Sequence, residues 1–261
     1  MNVKIPSIPL FFWKILLVII ILLTWEGVAR SGIFSSFIFP TITDTLVYMG
    51  GHVDELISAT SYTLQLLLAG LACSCLVGLI AGSLTMISRR IRLGLETVVS
   101  IISPIPSSSM LPFAILWFGL GSSPIIFVTF FGSLCPFLIN LVNGFTTVNK
   151  TQLAVGRNFG LKGFDLVWHI SLPASLPHII TGFRASWGTA WRSVVAAELI
   201  FGAVGGKGGL GWLIYANRFQ LNAPGMLGAL ICISIVGLLV ENVLLEILER
   251  KTVKRWGMKN D

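Results

Sequence analysis

The chain contains a series of apolar stretches, each long enough to cross a bilayer. A membrane-spanning helix needs about 20 consecutive, mainly apolar residues. The stretches are apolar on every side of a helix, whereas a helix of a soluble domain has one polar face. The sequence therefore predicts an all-α fold, a single polytopic membrane domain over residues 1–261. Its six transmembrane helices are expected at 10–29, 60–87, 97–118, 124–145, 178–201 and 223–248.

The composition excludes an ordinary soluble protein and argues against a nucleic-acid partner. Only 11% of the residues are charged and 54% are hydrophobic, whereas about 25% are charged in a typical soluble domain. The net charge of +7 comes from basic residues between apolar stretches and not from one basic face, so membrane topology explains it better. The four cysteines lie inside apolar stretches, so neither a disulfide framework nor a metal site is predicted.

The distribution of basic residues predicts the orientation of the chain. If both termini are cytoplasmic, thirteen Lys and Arg residues fall in cytoplasmic segments and three in external ones, as the positive-inside rule requires. The stretch from Leu10 to Ala29 is long for a signal peptide, and no clear cleavage motif of small residues follows it. It is interpreted as a retained helix. We expect a multi-pass protein of the inner (plasma) membrane.

Two segments between the apolar stretches are predicted to hold structure of their own. The external segment 32–58 is expected to contain a short helix near 43–49 along the membrane surface, although a plain loop fits almost as well. The cytoplasmic segment 146–177 is too long for a simple helix connection. It is therefore predicted to dock a partner.

Prolines interrupt two of the apolar stretches. The third contains Pro104, Pro106 and Pro112, and the fourth contains Pro124 and Pro136. Each proline frees a backbone carbonyl, which needs another partner in lipid. These helices are therefore expected to surround a cavity.

The cytoplasmic segment 154–173 reads AVGRNFGLKGFDLVWHISLP and predicts a helical hairpin. Gly160 suits the left-handed position that ends a helix, and Pro173 is expected to stop the second short helix. Phe159 and Phe164 would then be exposed among charged side chains. Exposed aromatics rimmed by charge are typical of a surface that docks into a groove of a protein partner.

This segment resembles the coupling loop of ABC importer permeases, whose pattern is Glu-Ala-Ala, three residues, Gly, nine residues, Ile, one residue, Leu-Pro. The residues that match this spacing are Gly160, Ile170, Leu172 and Pro173. Ala154, Val155 and Gly156 stand at the Glu-Ala-Ala positions, so the family's glutamate has no counterpart here. The resemblance implies that a hairpin at about 150–175 couples to an ATPase subunit. Its coupling residues are expected to be Gly156, Arg157, Asn158, Phe159, Gly160, Leu161, Phe164, Leu172 and Pro173.

Three more segments narrow the resemblance to the permeases of the nitrate, sulfonate, taurine and bicarbonate importers. They are PIPSSSMLPFAILWFGLG at 104–121, SLPASLPHIITGFR at 171–184 and VVAAELIFG at 194–202. The resemblance implies a type I importer permease that forms a homodimer and works with two cytoplasmic ATPase subunits and an external substrate-binding protein. The ATPase partner would bind ATP and Mg²⁺, so this chain is expected to be a transport subunit with no cofactor of its own and not an enzyme.

Polar residues at membrane depth are the candidates for the substrate pathway. Arg192 is expected either to attract an anion by charge-assisted hydrogen bonding or to form a structural ion pair with Glu198 or Glu241. The hydroxyls of Ser107 and Ser108 either satisfy the carbonyls freed by the prolines or line the path. The candidate pathway residues are Ser107, Ser108, Ser186, Thr189, Arg192, Ser193 and Glu198.

The solute is expected to be a small anion, such as nitrate, a sulfonate, taurine or bicarbonate. A neutral or heterocyclic solute, such as a thiamine-pyrimidine precursor, is the alternative, and an ATP-independent secondary transporter is a weaker one. The glycine-rich segment GAVGGKGG at 202–209 has no Ser or Thr after its lysine, so it is not a phosphate-binding loop. The three histidines are scattered, which argues against an enzyme.

Overall fold

The computed structural model describes residues 10–202 and 208–244. Within these ranges the chain forms twelve α-helices and no strand, so the all-α prediction is confirmed. The helices are α1 (Leu10–Arg30), α2 (Ile42–Gly51), α3 (Val53–Thr85), α4 (Arg89–Ile102), α5 (Leu111–Phe118), α6 (Ser123–Thr147), α7 (Lys150–Asn158), α8 (Gly163–Leu166), α9 (Leu172–Ala174), α10 (Leu176–Phe201), α11 (Leu210–Phe219) and α12 (Ala223–Leu239). A 3₁₀ turn (Ser107–Met110) and two π-helical turns (Val167–Ser171 and Val240–Leu244) complete the described structure.

The centre of the molecule is a packed trio of long helices, α3, α6 and α10. Leu67 of α3, Ile125 of α6 and Val194 of α10 are fully buried in the largest apolar cluster. The middle helix, α6, packs along both of the others. The shorter helices are arranged around this trio, with α11 and α12 packed against each other at one side.

Glycines allow α3 to approach α6 closely. A Cβ atom at Gly70 would lie 2.7 Å from Cβ of Thr129 and 2.9 Å from the carbonyl oxygen of Ile126. Gly78 and Gly82, four residues apart, lie in the same way against the side chains of Phe137 and Leu141. Small residues at four-residue spacing let helix backbones meet, and here the spacing serves packing within one chain.

Hydroxyl groups bridge the same three helices inside the bundle. The hydroxyl of Ser133 in α6 donates to the hydroxyl of Ser74 in α3, at 2.9 Å. The hydroxyl of Ser186 in α10 donates to the backbone carbonyl of Ser133, also at 2.9 Å. All three serines are fully buried. Such bonds satisfy polar groups where water is absent and fix the relative positions of the helices.

The expected count of six spans is not confirmed. The described residues contain four helices long and apolar enough to cross a membrane, or five if one bent pair is counted as a span. The 26-residue helix α10, which occupies the fifth expected stretch, is not among them. It carries three charged residues, Arg184, Arg192 and the buried Glu198, which lower its mean hydropathy. The last expected stretch, 223–248, continues beyond the described residues.

The third expected span, 97–118, is wrong as a single helix. It is divided between α4 and α5, which lie at 90° to each other. Pro104 and Pro106 fall in the break between α4 and the 3₁₀ turn. Proline disfavours helical backbone in the residue before it and has no N–H for the helix ladder, so two prolines at this spacing stop α4.

The short helix expected near 43–49 is present as α2, and α1 is attached to it by side chains. The carboxylate of Glu26 accepts the backbone N–H of Ile42 at 2.7 Å, and the indole of Trp25 donates to the carbonyl of Pro40 at 3.0 Å. From Phe12 to Leu23 the apolar side chains of α1 are exposed. This exposure fits a helix that faces lipid.

Candidate functional site

A cavity of about 440 Å³ opens between the 3₁₀ turn, α6 and α10. Five of the seven candidate pathway residues line it: Ser107, Ser108, Thr189, Arg192 and Ser193. Phe131, Pro136 and Ala196 form part of its apolar wall. The break in the third stretch thus places the serine-rich turn at a cavity wall.

The 3₁₀ turn is fastened to α10 at the edge of this cavity. The hydroxyls of Ser107 and Ser193 lie 2.6 Å apart and share a hydrogen bond. A Cβ atom at Gly132 of α6 would collide with the hydroxyl oxygen of Ser193 and lie 3.0 Å from Cβ of Ser107. The 3₁₀ turn, α6 and α10 therefore meet at this point, and only glycine fits between the two serines.

Arg192 is the charged residue in the lining of the cavity. Its side chain is exposed, and no ion pair joins it to Glu198 or to Glu241, both of which are described. Arg192 also borders a second cavity of about 390 Å³, on the side of α10 that faces α12, where Arg184 and Glu241 lie. Arg192 thus lines both cavities, and the ion pair with Glu198 or Glu241, one of its two predicted roles, is not formed among the described residues.

Two candidate pathway residues lie away from the cavity. Ser186 is buried in the bond to Ser133 between α10 and α6. Glu198 is 1% exposed and accepts hydrogen bonds from the hydroxyl of Thr63, at 2.9–3.0 Å, and from the backbone N–H of Gly211, at 3.0 Å. Thr63 was not singled out in the sequence, because nothing local connects it to a residue 135 positions away.

The cytoplasmic candidate, the hairpin at 150–175, has the expected glycine end of its first helix. Gly160 has a φ of +86°. The N–H of Leu161 bonds to the carbonyl of Gly156 at 3.0 Å, and the N–H of Gly160 bonds to the carbonyl of Arg157 at 2.9 Å. This pair of bonds is the Schellman arrangement, in which a left-handed residue closes the helix.

The two arms of the hairpin cross at Gly156. A Cβ atom there would lie 2.8 Å from Cδ1 of Leu166 and 3.0 Å from Cγ1 of Ile170. Gly156 stands where the family pattern has its second alanine. The close approach of the arms explains why this chain has a smaller residue at that position.

One face of the hairpin exposes large apolar side chains. The exposed fraction is 82% for Phe159, 57% for Phe164 and 59% for Trp168. Trp168 was not among the predicted coupling residues, although it follows Phe164 by four positions and therefore shares its helical face. Arg157 and Lys162 are exposed beside these rings.

The opposite face of the hairpin is anchored in the bundle. Val167 is buried in a cluster with Leu141 and Phe145 of α6, and Leu172 packs against the same cluster. At the base of the hairpin, the hydroxyl of Thr147 lies 3.2 Å from Nε2 of His178 in α10. This contact joins the end of α6 to α10. Ile179 and Phe183 of α10 pack against the same cluster as Val167, so the hairpin is attached to both α6 and α10.

The expected proline stop at Pro173 is wrong. The second arm continues from α8 through a π-helical turn into α9, and Pro173 lies in the first turn of α9. Proline is tolerated in a first helical turn, where its missing N–H is not needed. The arm ends instead at Ser175, just before α10, and the hydroxyl of Ser175 donates to the carbonyl of Ser171.

Comparison with known proteins identifies the family. The family described as "Binding-protein-dependent transport system inner membrane component" matches residues 74–254, which is more than half of the chain. The chain belongs to this family. It is an ABC importer permease subunit, located in the inner membrane, and such permeases are transport subunits, not enzymes.

The permease is similar to several curated proteins over most of its length. A putative ABC transporter permease of Methanocaldococcus jannaschii is 31% identical over 78% of this chain and 76% of its own length. A putative aliphatic sulfonates transport permease of Bacillus subtilis is 28% identical over 96% and 91%. The taurine transport system permease of Escherichia coli is 25% identical over 85% and 82%. The resemblance to the sulfonate and taurine permeases is confirmed.

A solved structure shares the fold. The MetNI methionine ABC transporter, solved in inward-facing conformations, contains a chain that matches with a TM-score of 0.65. The match covers 78% of this permease and 97% of that chain, at 18% sequence identity. The predicted fold class, that of the type I ABC importer permeases, is therefore confirmed.

Proposed function

We propose that this permease imports a small anionic solute of the sulfonate, taurine, nitrate or bicarbonate class, driven by ATP hydrolysis in partner subunits. The observation that carries the proposal is the cavity beside the 3₁₀ turn, where Arg192 stands among the hydroxyls of Ser107, Ser108 and Thr189. The guanidinium of Arg192 and the hydroxyl of Ser108 can donate to an anionic oxygen, and such charge-assisted hydrogen bonds are stronger than neutral ones. The hydroxyl of Thr189 already donates to backbone carbonyls of α10 and adds only polarity to the wall. The sulfonate and taurine permeases among the relatives support the same class.

The charge of the cavity lining also supports an anionic solute. Within the described residues, the lining of the cavity includes no Asp or Glu. An anion in the cavity would therefore meet one positive charge and no like charge. The burial of Glu198 in bonds to Thr63 and Gly211 keeps its carboxylate out of the lining.

The proposed transporter contains a second copy of the permease, two cytoplasmic ATPase subunits and an external substrate-binding protein. ATP and Mg²⁺ are bound by the ATPase subunits. The hairpin supports this assembly, since its exposed rings stand beside charges on one face while the other face is embedded in the bundle. A protein groove on an ATPase subunit would cover Phe159, Phe164 and Trp168.

The test of the solute class is uptake by the complete complex in proteoliposomes. The permease is reconstituted with its ATPase and binding protein, and ATP-dependent uptake of radiolabelled taurine, nitrate and bicarbonate is measured. We expect uptake of at least one of these solutes, each of which carries an anionic oxygen group. Arg192→Gln should raise its KM about tenfold or more, because a hydrogen bond to a charged group contributes roughly 1.5–3 kcal/mol.

Arg192→Lys is the matched control, because it keeps the charge and loses only the forked geometry. It should retain more of the affinity than Arg192→Gln. Uptake of a neutral heterocycle that is unaffected by Arg192→Gln would contradict the anionic assignment, and uptake without nucleotide would contradict the ATP-driven mechanism.

A further inference from the structure

The start of α11 is held by two side chains from other helices. The backbone N–H of Gly211 donates to Oε2 of Glu198 at 3.0 Å, and the backbone N–H of Leu210 donates to the hydroxyl of Thr63 at 2.9 Å. The hydroxyl of Thr63 in turn donates to the Glu198 carboxylate. Three helices, α3, α10 and α11, therefore meet in one buried network.

This network performs the task of a helix cap. The first N–H groups of a helix have no partner within the helix, and a side chain at the N-cap position usually accepts from them. In α11 the N-cap residue is Gly209, which has no side chain. Glu198 and Thr63 replace it, and a carboxylate is the favoured group at the positive end of a helix dipole.

Glycine is required at the start of α11 because neighbouring residues of α3 and α10 lie directly against its backbone. A Cβ atom at Gly209 would collide with Glu198 and Thr63, and one at Gly211 would collide with the carbonyl oxygen of Val195. Neither position has open space beside it. The glycines at 209 and 211 are therefore explained by the packing of α11 against α3 and α10.

The carboxylate of Glu198 has no cationic partner in the described part of the chain. A buried carboxyl group without a cationic partner is costly unless hydrogen bonds compensate for its burial. Its hydrogen-bond partners all belong to the cap of α11 or to Thr63. Loss of either side chain would leave buried donors of α11 unsatisfied, which is the expensive way to break a hydrogen bond.

We propose that Glu198 and Thr63 are positioning residues that fasten α11 to α3 and α10, so that α11 moves with these helices as a rigid wall during transport. That α11 lies at the external end of the permease depends on the proposed orientation of the chain in the membrane. The attachment of α11 to α3 and α10 does not depend on that orientation. The wall also borders a polar cavity of about 450 Å³, lined by Glu55, Tyr62 and Trp212 among others. Without the hydrogen bonds of Glu198 and Thr63, α11 would be free to separate from α3. The permease would then open without ATP at the end where α11 lies.

The experiment measures the distance between α3 and α11 directly. Spin labels are placed at Asp54 and Arg218, both exposed, in a full-length permease whose four cysteines have been replaced, in lipid nanodiscs. Double electron–electron resonance should give a narrow distance distribution for the unaltered cap. Thr63→Val, which keeps the shape of the side chain and removes its hydroxyl, should broaden the distribution and shift it to longer distances.

Two variants serve as controls for shape and for the loss of a buried hydroxyl. Thr63→Ser keeps the hydroxyl and should retain the narrow distribution. Thr129 is equally buried, but its hydroxyl bonds only within α6, to Ile125, so Thr129→Val should not change the distance. Glu198→Gln, which keeps one acceptor oxygen, should give an intermediate distribution and remains available if Thr63→Val does not fold.

Transport kinetics distinguish a positioning role from contact with solute. In the reconstituted complex, Thr63→Val should lower the Vmax of uptake severalfold, leave its KM unchanged and raise ATPase activity without the binding protein. A raised KM with an unchanged spin-label distance would overturn the proposal and place Glu198 in the pathway. An identical distance distribution for Thr63→Val and Thr63→Ser would also overturn it. Because the distance needs neither solute nor ATPase, its outcome is independent of the proposed solute class.

Discussion

At the scale of single residues, Gly160 determines the path of the hairpin. Its φ of +86° lies in the left-handed region, where a Cβ atom clashes with the following carbonyl. The two bonds that close α7 require this conformation. The direction in which Phe159 and Phe164 project therefore depends on one backbone angle.

A β-branched residue at Gly160 should separate ATP hydrolysis from transport. Gly160→Val places a strained residue in the left-handed region, which costs about 1–3 kcal/mol, so the turn should relax and move the exposed rings. We expect uptake by the reconstituted complex to fall severalfold while ATPase activity persists. Gly160→Asn is the control, since Asn tolerates this conformation. Normal coupling in Gly160→Val would count against docking through the hairpin.

At the scale of helices, the close contact of α3 with α6 sets the geometry of the bundle. Gly70 meets both a side chain, Thr129, and a backbone carbonyl, that of Ile126. The backbone contact cannot be relieved by rotation of a side chain. Any larger residue at this position must therefore move one helix relative to the other.

Gly70→Ala should destabilise the permease. Overpacking of a tight core costs typically about 1–3 kcal/mol, so the midpoint of thermal unfolding in detergent should fall. Gly94→Ala in α4 is the matched control, because nothing lies within 4 Å of a Cβ atom there. Alanine is favoured over glycine in a helix by about 1 kcal/mol, so this variant should be as stable as the parent or slightly more so. Equal destabilisation by both substitutions would contradict the packing argument.

The sequence predicted the positions of long helices better than the points at which a helix is interrupted. The expected stretches 10–29 and 124–145 agree closely with α1 and α6, because a long apolar run has few other solutions in lipid. Hydropathy depends on which residues a segment contains and not on the direction of its helix axis. The 90° turn between α4 and α5 was therefore not predicted, although Pro104 and Pro106 are in the sequence at that point.

The sequence predicted most of the polar residues that line the cavity, but not the contacts between helices around it. Ser107, Thr189 and Arg192 carried a recognisable signal, polarity at membrane depth, and the structure brings them together. The pairing of Thr63 with Glu198 had no such signal, because it depends on where α3 and α10 cross. Tertiary contacts between distant positions require the packing of the helices to be known.

At the scale of the whole molecule, one continuous path joins the hairpin to the cavity. Val167 of the hairpin is packed against Leu141 and Phe145 of α6. The same helix carries Gly132, which lies between Ser107 and Ser193 at the cavity wall. Packed interiors transmit displacement with little compression. A movement of the hairpin would thus be transmitted through α6 to the serine-rich turn.

This path has a use in ATP-driven import only if the hairpin faces the cytoplasm and the start of α3 faces outside. Single cysteines at Lys162 and at Asp54, both exposed, test this arrangement in a chain whose own four cysteines have been replaced. A membrane-impermeant maleimide should label Asp54→Cys in intact cells, and Lys162→Cys only after the membrane is permeabilised, as the excess of Lys and Arg on the cytoplasmic side predicts. Labelling of Lys162→Cys from outside would place the hairpin beyond the reach of a cytoplasmic ATPase and would refute the coupling mechanism.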